Sequence, residues 1–195
     1  MKAVTRWSAF LAVLAACSAL AAPAGATALR RVSLAELVQN NAWVVVGQVL
    51  DAKTRWNADH TMIFTDYRIE VVDAAKGRPK SRQITVTQIG GTEGQRTVAM
   101  IGGAALAPGS TYLLFLSRTD LPGLKNALTV TDHCQGVFEL STSETGVIVA
   151  KSQARDFGLL PDLQGSRTAP GETSGFELAT LLETVRELAR GEVKR

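Results

Sequence analysis

A two-residue alternation over residues 63–71 is the sequence feature that most constrains the fold. The residues that share one face are Ile63, Thr65, Tyr67, Ile69 and Val71. The opposite face holds Phe64, Asp66, Arg68 and Glu70. Because successive side chains of a β-strand point to opposite sides of a sheet, this period predicts a strand with one apolar and one mostly polar face.

Other segments favour β-structure as well. Residues 43–50 are mainly β-branched and aromatic, and residues 112–116 have no polar gap. Such continuous runs predict strands buried on both faces, and Gly47 inside the first run indicates a bend or bulge. Shorter strands are predicted at 83–89, 127–131, 137–140 and 147–150. We expect a hairpin connection at 51–60, a turn at 76–79, a flexible loop at 90–94 and a strand break at 121–123.

Two Ser-x-x-Glu motifs predict helix starts, because the serine and glutamate side chains can each bond the other residue's backbone N–H. Ser33–Glu36 precedes a short helix that ends near Asn40 and Asn41. Ser174–Glu177 opens an amphipathic helix over 174–190, whose apolar stripe predicts docking on the domain. The stripe consists of Phe176, Leu178, Leu181, Leu182, Val185 and Leu188. Residues 151–173, rich in arginine, glycine and proline, are expected to form a flexible linker or tail.

Short strands separated by turns, with a helix at each end and no β–α alternation, predict a mainly β fold. The architecture expected for residues 29–150 is a small antiparallel β-barrel, with a sandwich as the alternative.

The first 28 residues have the layout of a signal peptide. Two cations precede an apolar stretch, and small residues end at Ala26-Thr27-Ala28, which predicts cleavage after Ala28. The alternative is a lipobox at Leu14–Cys17, in which Cys17 would carry a lipid anchor. Either interpretation places the protein outside the cytoplasm, secreted or periplasmic in the first case and membrane-anchored in the second. The apolar stretch is shorter than the ~20 residues that a transmembrane helix needs, so no transmembrane segment is expected.

Charge and motif patterns exclude several function classes. The formal net charge is +3, and the leader contains two cations and no acid, so the remainder carries only +1. Without a visible basic cluster, nucleic-acid binding is not expected. The spacing of the two histidines and two cysteines matches no metal site, and no serine-nucleophile motif occurs, so we expect no metal, cofactor or catalytic residue. His133-Cys134 is the one thiol–imidazole juxtaposition, interpreted as a buried thiol beside a surface histidine.

The connection after the first strand contains the candidate binding residues Trp56, Asp59 and His60. Aromatic side chains exposed on loops are typical of protein-binding surfaces. The alternative is that Trp56 closes the end of the barrel.

The element order resembles a known fold. Ala42–Val49 is followed by Ile63–Val72, the Lys76-Gly77 turn, Ile84–Gly91, and Pro108-Gly109 before Tyr112–Leu116. This pattern over residues 34–140 resembles uncharacterised secreted bacterial proteins and, more remotely, the OB-fold barrels of the netrin-like module and the tissue inhibitors of metalloproteinases. Those inhibitors chelate zinc through a mature N-terminal cysteine in a Cys-x-Cys context, which Leu29-Arg30-Arg31 does not match. The resemblance therefore implies the fold and not that route of inhibition.

Together these features predict a secreted or periplasmic protein-binding module, with a secreted protease as one class of partner. Two alternatives stay open: a small extracytoplasmic enzyme that uses Cys134, and a surface lipoprotein anchored through Cys17.

Overall fold

Ten β-strands and two α-helices make up the computed structural model, which describes residues 30–100, 102–159 and 175–191. The helices are α1 (Leu34–Asn40) and α2 (Leu178–Arg190). The strands are β1 (Trp43–Trp56), β2 (Ile63–Lys76), β3 (Gln83–Ile89), β4 (Gly91–Glu93), β5 (Arg96–Val98), β6 (Thr111–Leu121), β7 (Leu124–Val130), β8 (Val137–Thr142), β9 (Ile148–Ser152) and β10 (Gly175–Glu177). Two 3₁₀ helices span His133–Gly136 and Gln153–Phe157.

Eight strands form one antiparallel sheet in the order β10-β9-β8-β6-β1-β2-β3, with β7 also paired to β6. One edge of β6 pairs with β1. The other edge is divided, since Tyr112–Leu114 pair with β8 and Leu116–Leu121 pair with β7. Within the described ranges no pairing joins β3 to β7. The predicted mainly β, antiparallel class is confirmed, but the sheet does not close into a barrel.

β1 and β6 are buried on both faces, as their continuous apolar runs predict. Val45 and Leu114 belong to an inner core that also contains Ile69 of β2. Val44 and Phe115, which point to the other face, belong to a second core that α1 and α2 cover. Because two cores lie back to back across these strands, almost every position in their central parts must be apolar.

The predicted irregularity at Gly47 is confirmed. The pairing of β1 with β2 shifts register between Val46 and Gly47. A Cβ atom at position 47 would lie 2.5 Å from Ile69 Cγ2 and 3.2 Å from the Glu70 carbonyl oxygen. The absence of a side chain therefore lets the two strands approach at the bulge.

α1 begins with the predicted capping box. The Glu36 N–H donates to Ser33 Oγ at 3.2 Å, and the Ser33 N–H donates to Glu36 Oε2 at 2.9 Å. This bond from Ser33, together with one from Arg30, holds the pKa of the Glu36 carboxyl below its usual range.

α2 begins later than its Ser-x-x-Glu motif predicts. Residues 175–177 pair with β9 as a strand, and the helix starts at Leu178 with Glu177 as an N-cap that makes no side-chain bond. Ser174 lies outside the described residues. The predicted stripe still packs on the domain: Leu178, Leu181, Leu182 and Val185 are buried in the second core, and Phe176 and Leu188 pack against it.

Three connections differ from their predicted form. β1 extends through residues 51–56, so the connection to β2 is limited to 57–62. Because that half of β1 pairs only with β2 and is largely solvated, polar composition there is compatible with a strand. The predicted flexible loop at 90–94 instead starts a hairpin of β4 and β5. Residues 151–152 complete β9, 153–157 are a 3₁₀ helix, and 160–173 of the predicted linker lie outside the described residues.

The Lys76-Gly77 turn closes one end of the β1–β2 ribbon. Lys76 Nζ donates to the carbonyl oxygens of Val38 at 2.5 Å and Asn41 at 2.7 Å, at the C-terminus of α1. Partial burial lowers the pKa of this ammonium below its usual range. Gly77 has φ +65°, and a Cβ there would lie 2.4 Å from Trp43 Cδ1. Both residues of the dipeptide therefore have structural roles.

Candidate interaction surface

The connection between β1 and β2 is organised around Asn57, which is buried. Its Oδ1 accepts from the N–H groups of Thr61 at 2.8 Å and Met62 at 3.0 Å, and its Nδ2 donates to Thr61 Oγ1 at 2.9 Å. Its backbone N–H donates to the Met62 carbonyl at 2.8 Å, and its carbonyl accepts from the His60 N–H at 3.1 Å. These bonds hold the short loop in one conformation, with His60 in the left-handed region at φ 52°.

Trp56, the last residue of β1, has two ring neighbours. The His60 ring centroid is 6.0 Å from that of Trp56, with 34° between the ring planes. On the β4–β5 side, the Arg96 guanidinium lies 5.9 Å from the Trp56 ring centroid, within cation–π distance. Trp56 is half-buried and belongs to neither core. Asp59 is exposed at the tip of the loop.

The hairpin that supplies Arg96 is attached to the end of β1. Thr54 Oγ1 lies 2.9 Å from the Thr92 carbonyl oxygen and 2.8 Å from Glu93 Oε2, either of which can accept its proton. Sequence reasoning missed Arg96, because residues 90–98 were expected to contain a loop. Gly94, whose φ is positive, turns the chain between β4 and β5, but nothing in the local sequence indicates that this hairpin lies beside Trp56.

A third connection meets the same end of the sheet. The turn between β6 and β7 places the Pro122 carbonyl oxygen 3.5 Å from Asn57 Nδ2, and Gly123 packs against the Asn57 side chain. We call the surface formed by Trp56, Asp59, His60 and Arg96 the loop-end surface. The Trp56 and His60 rings lie near each other, Asp59 belongs to the same connection, and the bonds of Asn57 fix the loop that contains Asp59 and His60.

The polar face of β2 forms ion pairs across strands. Arg55 Nε donates to Asp66 Oδ2 at 2.6 Å, and the Thr87 hydroxyl donates to Asp66 Oδ1 at 2.6 Å. Arg68 pairs with Asp51 of β1. These charges are matched within the sheet and leave no free carboxylate cluster there. The described part of the chain contains no group of three histidine, cysteine or acidic residues that could hold a metal ion.

The His133-Cys134 segment is a 3₁₀ turn and not an extended strand. Asp132 and His133 both have left-handed backbone angles, and the Cys134 N–H donates to the Gly102 carbonyl at 2.9 Å. Cys134 is buried while His133 is exposed. Burial, and to a lesser extent the Asp156 charge, raises the pKa of the Cys134 thiol. The thiolate needed for nucleophilic chemistry is therefore disfavoured.

Residues 1–29, which include the predicted leader and Cys17, lie outside the described residues. Across the ranges that are described, no helix is long and apolar enough to cross a membrane.

No protein-family model matches the chain, and no curated protein matches it in sequence.

Proposed function

We propose that this protein is a secreted or periplasmic protein-binding module of OB-like type that contacts its partner through the loop-end surface. The observation that carries the proposal is Trp56, a half-buried tryptophan at the end of β1 that has the His60 ring and the Arg96 guanidinium near its own ring, next to a loop that Asn57 holds in one conformation. Tryptophan and arginine are enriched among the residues that dominate binding energy at protein interfaces. A rigid loop also loses little conformational entropy on binding.

The order of five strands supports the OB-like assignment. β3-β2-β1-β6-β7 are neighbours in that order, so the first, second, third, fourth and fifth barrel strands would be β1, β2, β3, β6 and β7. An OB-fold is a partly open five-stranded barrel that binds ligands with its strand 1–2 and strand 4–5 loops. Here those loops are 57–62 and 122–123, which meet at Asn57. The same surface thus follows from the strand order and from Trp56.

The proposal that the protein is exported rests only on the predicted signal peptide at residues 1–28. N-terminal sequencing of the exported protein should find Leu29 first, as cleavage after Ala28 requires. A blocked N-terminus at a lipid-bearing Cys17 would replace secretion with a membrane-anchored lipoprotein.

Site-specific photo-crosslinking tests the contact surface. A benzoylphenylalanine at Asp59 should form an adduct with a partner from the exported proteins of the source cell, a secreted protease being one class to look for. The matched control is the same probe at Glu144, in the exposed turn between β8 and β9. The same adduct from both positions, or none from Asp59, would contradict the proposal.

Affinity for the captured partner then measures the contribution of Trp56. Trp56→Ala should weaken binding by about 2 kcal/mol or more, as is common for an aromatic anchor. The control is Phe157→Ala, because Phe157 is 50% exposed but lies in the second 3₁₀ helix, away from the loop. A folded Trp56→Ala protein with unchanged affinity would remove this loop from the binding surface.

A further inference from the structure

The seam between β3 and β7, along which the two strands lie close together without β-pairing, has a cleft beside its first half. The start of each strand lines this cleft, together with residues 79–81 of the turn between β2 and β3. Its volume is about 740 Å³, within the range of about 300–1,000 Å³ usual for ligand sites. A small organic molecule therefore fits in the cleft without separating the two strands.

Part of the cleft lining is apolar and is supported by the inner core. Trp43, Ile84 and Leu128 line the cleft. Leu128 belongs to the inner core, and Trp43 and Ile84 pack against it. Ligand sites are commonly lined by apolar and aromatic side chains with a few polar groups placed among them. The apolar body of a ligand thus has a surface in the cleft on which it can pack.

Cations outnumber carboxylates in the rest of the lining. The carboxylate among the described lining residues is Asp66, which forms an ion pair with Arg55. Lys80, Arg118 and Lys125 also line the cleft and are exposed. None of these three has a carboxylate partner within the described ranges. Three positive charges are therefore available to an anionic ligand.

Arg118 lies where the charged and the apolar parts of the lining meet. Its Nη1 donates to the Asn126 carbonyl oxygen at 2.9 Å, and its guanidinium lies 5.7 Å from the Trp43 ring centroid. These two contacts hold the guanidinium in place before a ligand arrives, which lowers the entropy cost of binding. The side chains of Ser81 and Gln83, which can donate hydrogen bonds, line the same cleft.

From these observations we propose that the cleft binds an organic phosphate monoester with an apolar body. A phosphate monoester carries a charge of about −1.5 to −2 at neutral pH and has three acceptor oxygens. It therefore matches three cations from separate elements better than a single carboxylate does. The phosphate lies against Lys80, Arg118 and Lys125, and the apolar body lies on Trp43 and its neighbours. The site is separate from the loop-end surface and does not depend on the function proposed for that surface.

An NMR titration with 1-naphthyl phosphate tests the ligand chemistry. We expect saturable binding that weakens as salt is raised from 50 to 200 mM. 1-Naphthoate keeps the rings but has a single charge, so it should bind at least threefold more weakly. Inorganic phosphate lacks the apolar body and should bind at least tenfold more weakly. The proposal is overturned if 1-naphthyl phosphate does not bind, or if either of the other two anions binds equally well.

Paired substitutions test whether the cleft lysines bind the phosphate. Lys80→Gln/Lys125→Gln should weaken 1-naphthyl phosphate binding at least fivefold, with the melting temperature of the parent because both lysines are exposed. Arg31→Gln/Arg155→Gln removes the same two charges at exposed positions that do not line the cleft, and it should leave binding within twofold. If the double lysine variant melts lower, each single variant replaces it, with a loss of at least twofold expected. Equal losses in the two double variants would overturn the proposal, since binding would then follow net charge alone.

The same titration locates the ligand through amide chemical shifts. Shifts at residues 80–85 and 124–128 support the cleft. Shifts confined to residues 57–62 would overturn it while leaving the loop-end surface as the function proposed above.

Two further probes distinguish the sources of such a phosphate. Tighter binding of dihexanoyl phosphatidic acid than of 1-naphthyl phosphate, with cosedimentation on phosphatidylcholine vesicles that contain phosphatidic acid, supports a lipid head group as the ligand. Weaker binding of this lipid, without cosedimentation, supports a soluble phosphate ester. Cosedimentation that Lys80→Gln/Lys125→Gln leaves unchanged would overturn the cleft as the site of lipid binding.

Discussion

β1 begins and ends with a tryptophan, and the two tryptophans lie in contrasting surroundings. Both are half-buried, and each has an arginine guanidinium over its ring, at 5.7 Å for Trp43 and 5.9 Å for Trp56. Trp43 packs against the inner core and against Gly77, whereas Trp56 belongs to neither core and lies near His60 of the loop and Arg96 of the hairpin. Similar exposure therefore accompanies different packing: the Trp43 ring packs on a core, whereas the Trp56 ring lies outside both cores and is the one that the proposed function places against a partner.

The two ends of the β1–β2 ribbon differ in the same way. At the Trp43 end, which we call the closed end, Lys76 ties the ribbon to α1, and both cores lie alongside. At the Trp56 end, the open end, the bonds are local to the loop and its neighbouring turns. Substitutions at the closed end should thus change stability, and substitutions at the open end should change binding.

The largest loss of stability is expected in the strand that pairs with the closed end. Leu114 is fully buried and lies opposite Val45. Leu114→Ala should lower the free energy of unfolding by about 2–5 kcal/mol, through lost burial and the cavity that remains. Thr119→Ala, at an exposed position of the same strand, should change it by about 0.5 kcal/mol or less. Urea denaturation measures both, and a Leu114→Ala midpoint close to that of the parent would show that β6 is not central.

The next largest loss is expected for Trp43→Ala. This substitution should lower the free energy of unfolding by about 3 kcal/mol, the lower end of values for deleting a buried aromatic ring. The reason is that the inner core loses a large apolar contact at its edge. Thermal denaturation compared with Trp56→Ala provides the matched measurement. Equal losses of stability in Trp43→Ala and Trp56→Ala would contradict the difference proposed between the closed and the open end.

Gly77→Ala should destabilise the protein in two ways. A left-handed backbone angle costs a residue with a Cβ about 1–2 kcal/mol, and overlap with Trp43 adds about 1–3 kcal/mol. Gly94 is a close control, with φ +61° and no atom within 4 Å of an added Cβ. The difference between the two alanine variants in denaturant melts measures the overlap with Trp43 and with the Ala42 carbonyl oxygen, which would lie 2.5 Å from the added Cβ. Identical losses of stability would mean that both the Trp43 ring and the Ala42 backbone move aside freely.

Lys76→Met should cost about 1–3 kcal/mol, because two carbonyl groups at the end of α1 lose a charged donor. Lys53→Met, at an exposed position of β1, should have little effect. The pKa of Lys76 is lowered on folding, so the unfolded chain binds more protons between the folded and unfolded pKa values. The advantage of the parent over Lys76→Met should therefore grow as pH rises toward 10.5. A constant or shrinking difference in that range would contradict the lowered pKa.

The smallest effect on stability is expected for Trp56→Ala. It should lower the free energy of unfolding by about 0.5–1 kcal/mol, the contribution of an exposed cation–π contact. Its melting temperature should stay near that of the parent while partner affinity falls. A loss comparable to that of Trp43→Ala would instead make Trp56 the residue that closes the sheet, which is the structural alternative that its sequence position allows.

The predicted elements succeeded where a local pattern and a buried surface agree. The alternation at 63–71 and the run at 112–116 each occur as strands, since one face or both faces pack on a core. The apolar pattern did not predict the strand at Asp51–Trp56. These residues are mostly polar, and they form a strand because they pair with β2. The glycines at 90 and 91 likewise indicated a loop, although their positive φ angles lead into β4.

The candidate site was only partly visible for the same reason. Trp56, Asp59 and His60 are close in sequence, so a loop assignment was enough to group them. Arg96 lies about forty residues later, in the β4–β5 hairpin. The bond from the Thr54 hydroxyl to the Thr92 carbonyl holds this hairpin beside Trp56, and no local sequence motif predicts that bond. Lys76 and Gly77 were interpreted as a turn, and their contacts with α1 and Trp43 depend on how the helix packs.

By itself the sequence determined the alternation of β2, the apolar runs of β1 and β6, the capping box of α1 and the apolar stripe of α2, because these depend on residues within a few positions of one another. Tertiary structure decided where α2 begins, since pairing with β9 takes residues 175–177 that a Ser-x-x-Glu motif assigns to a helix. It also decided which tryptophan packs on a core and left β3 and β7 unpaired across the seam. Those outcomes depend on competition between distant surfaces for the same backbone and apolar groups, which is resolved only when the sheet assembles.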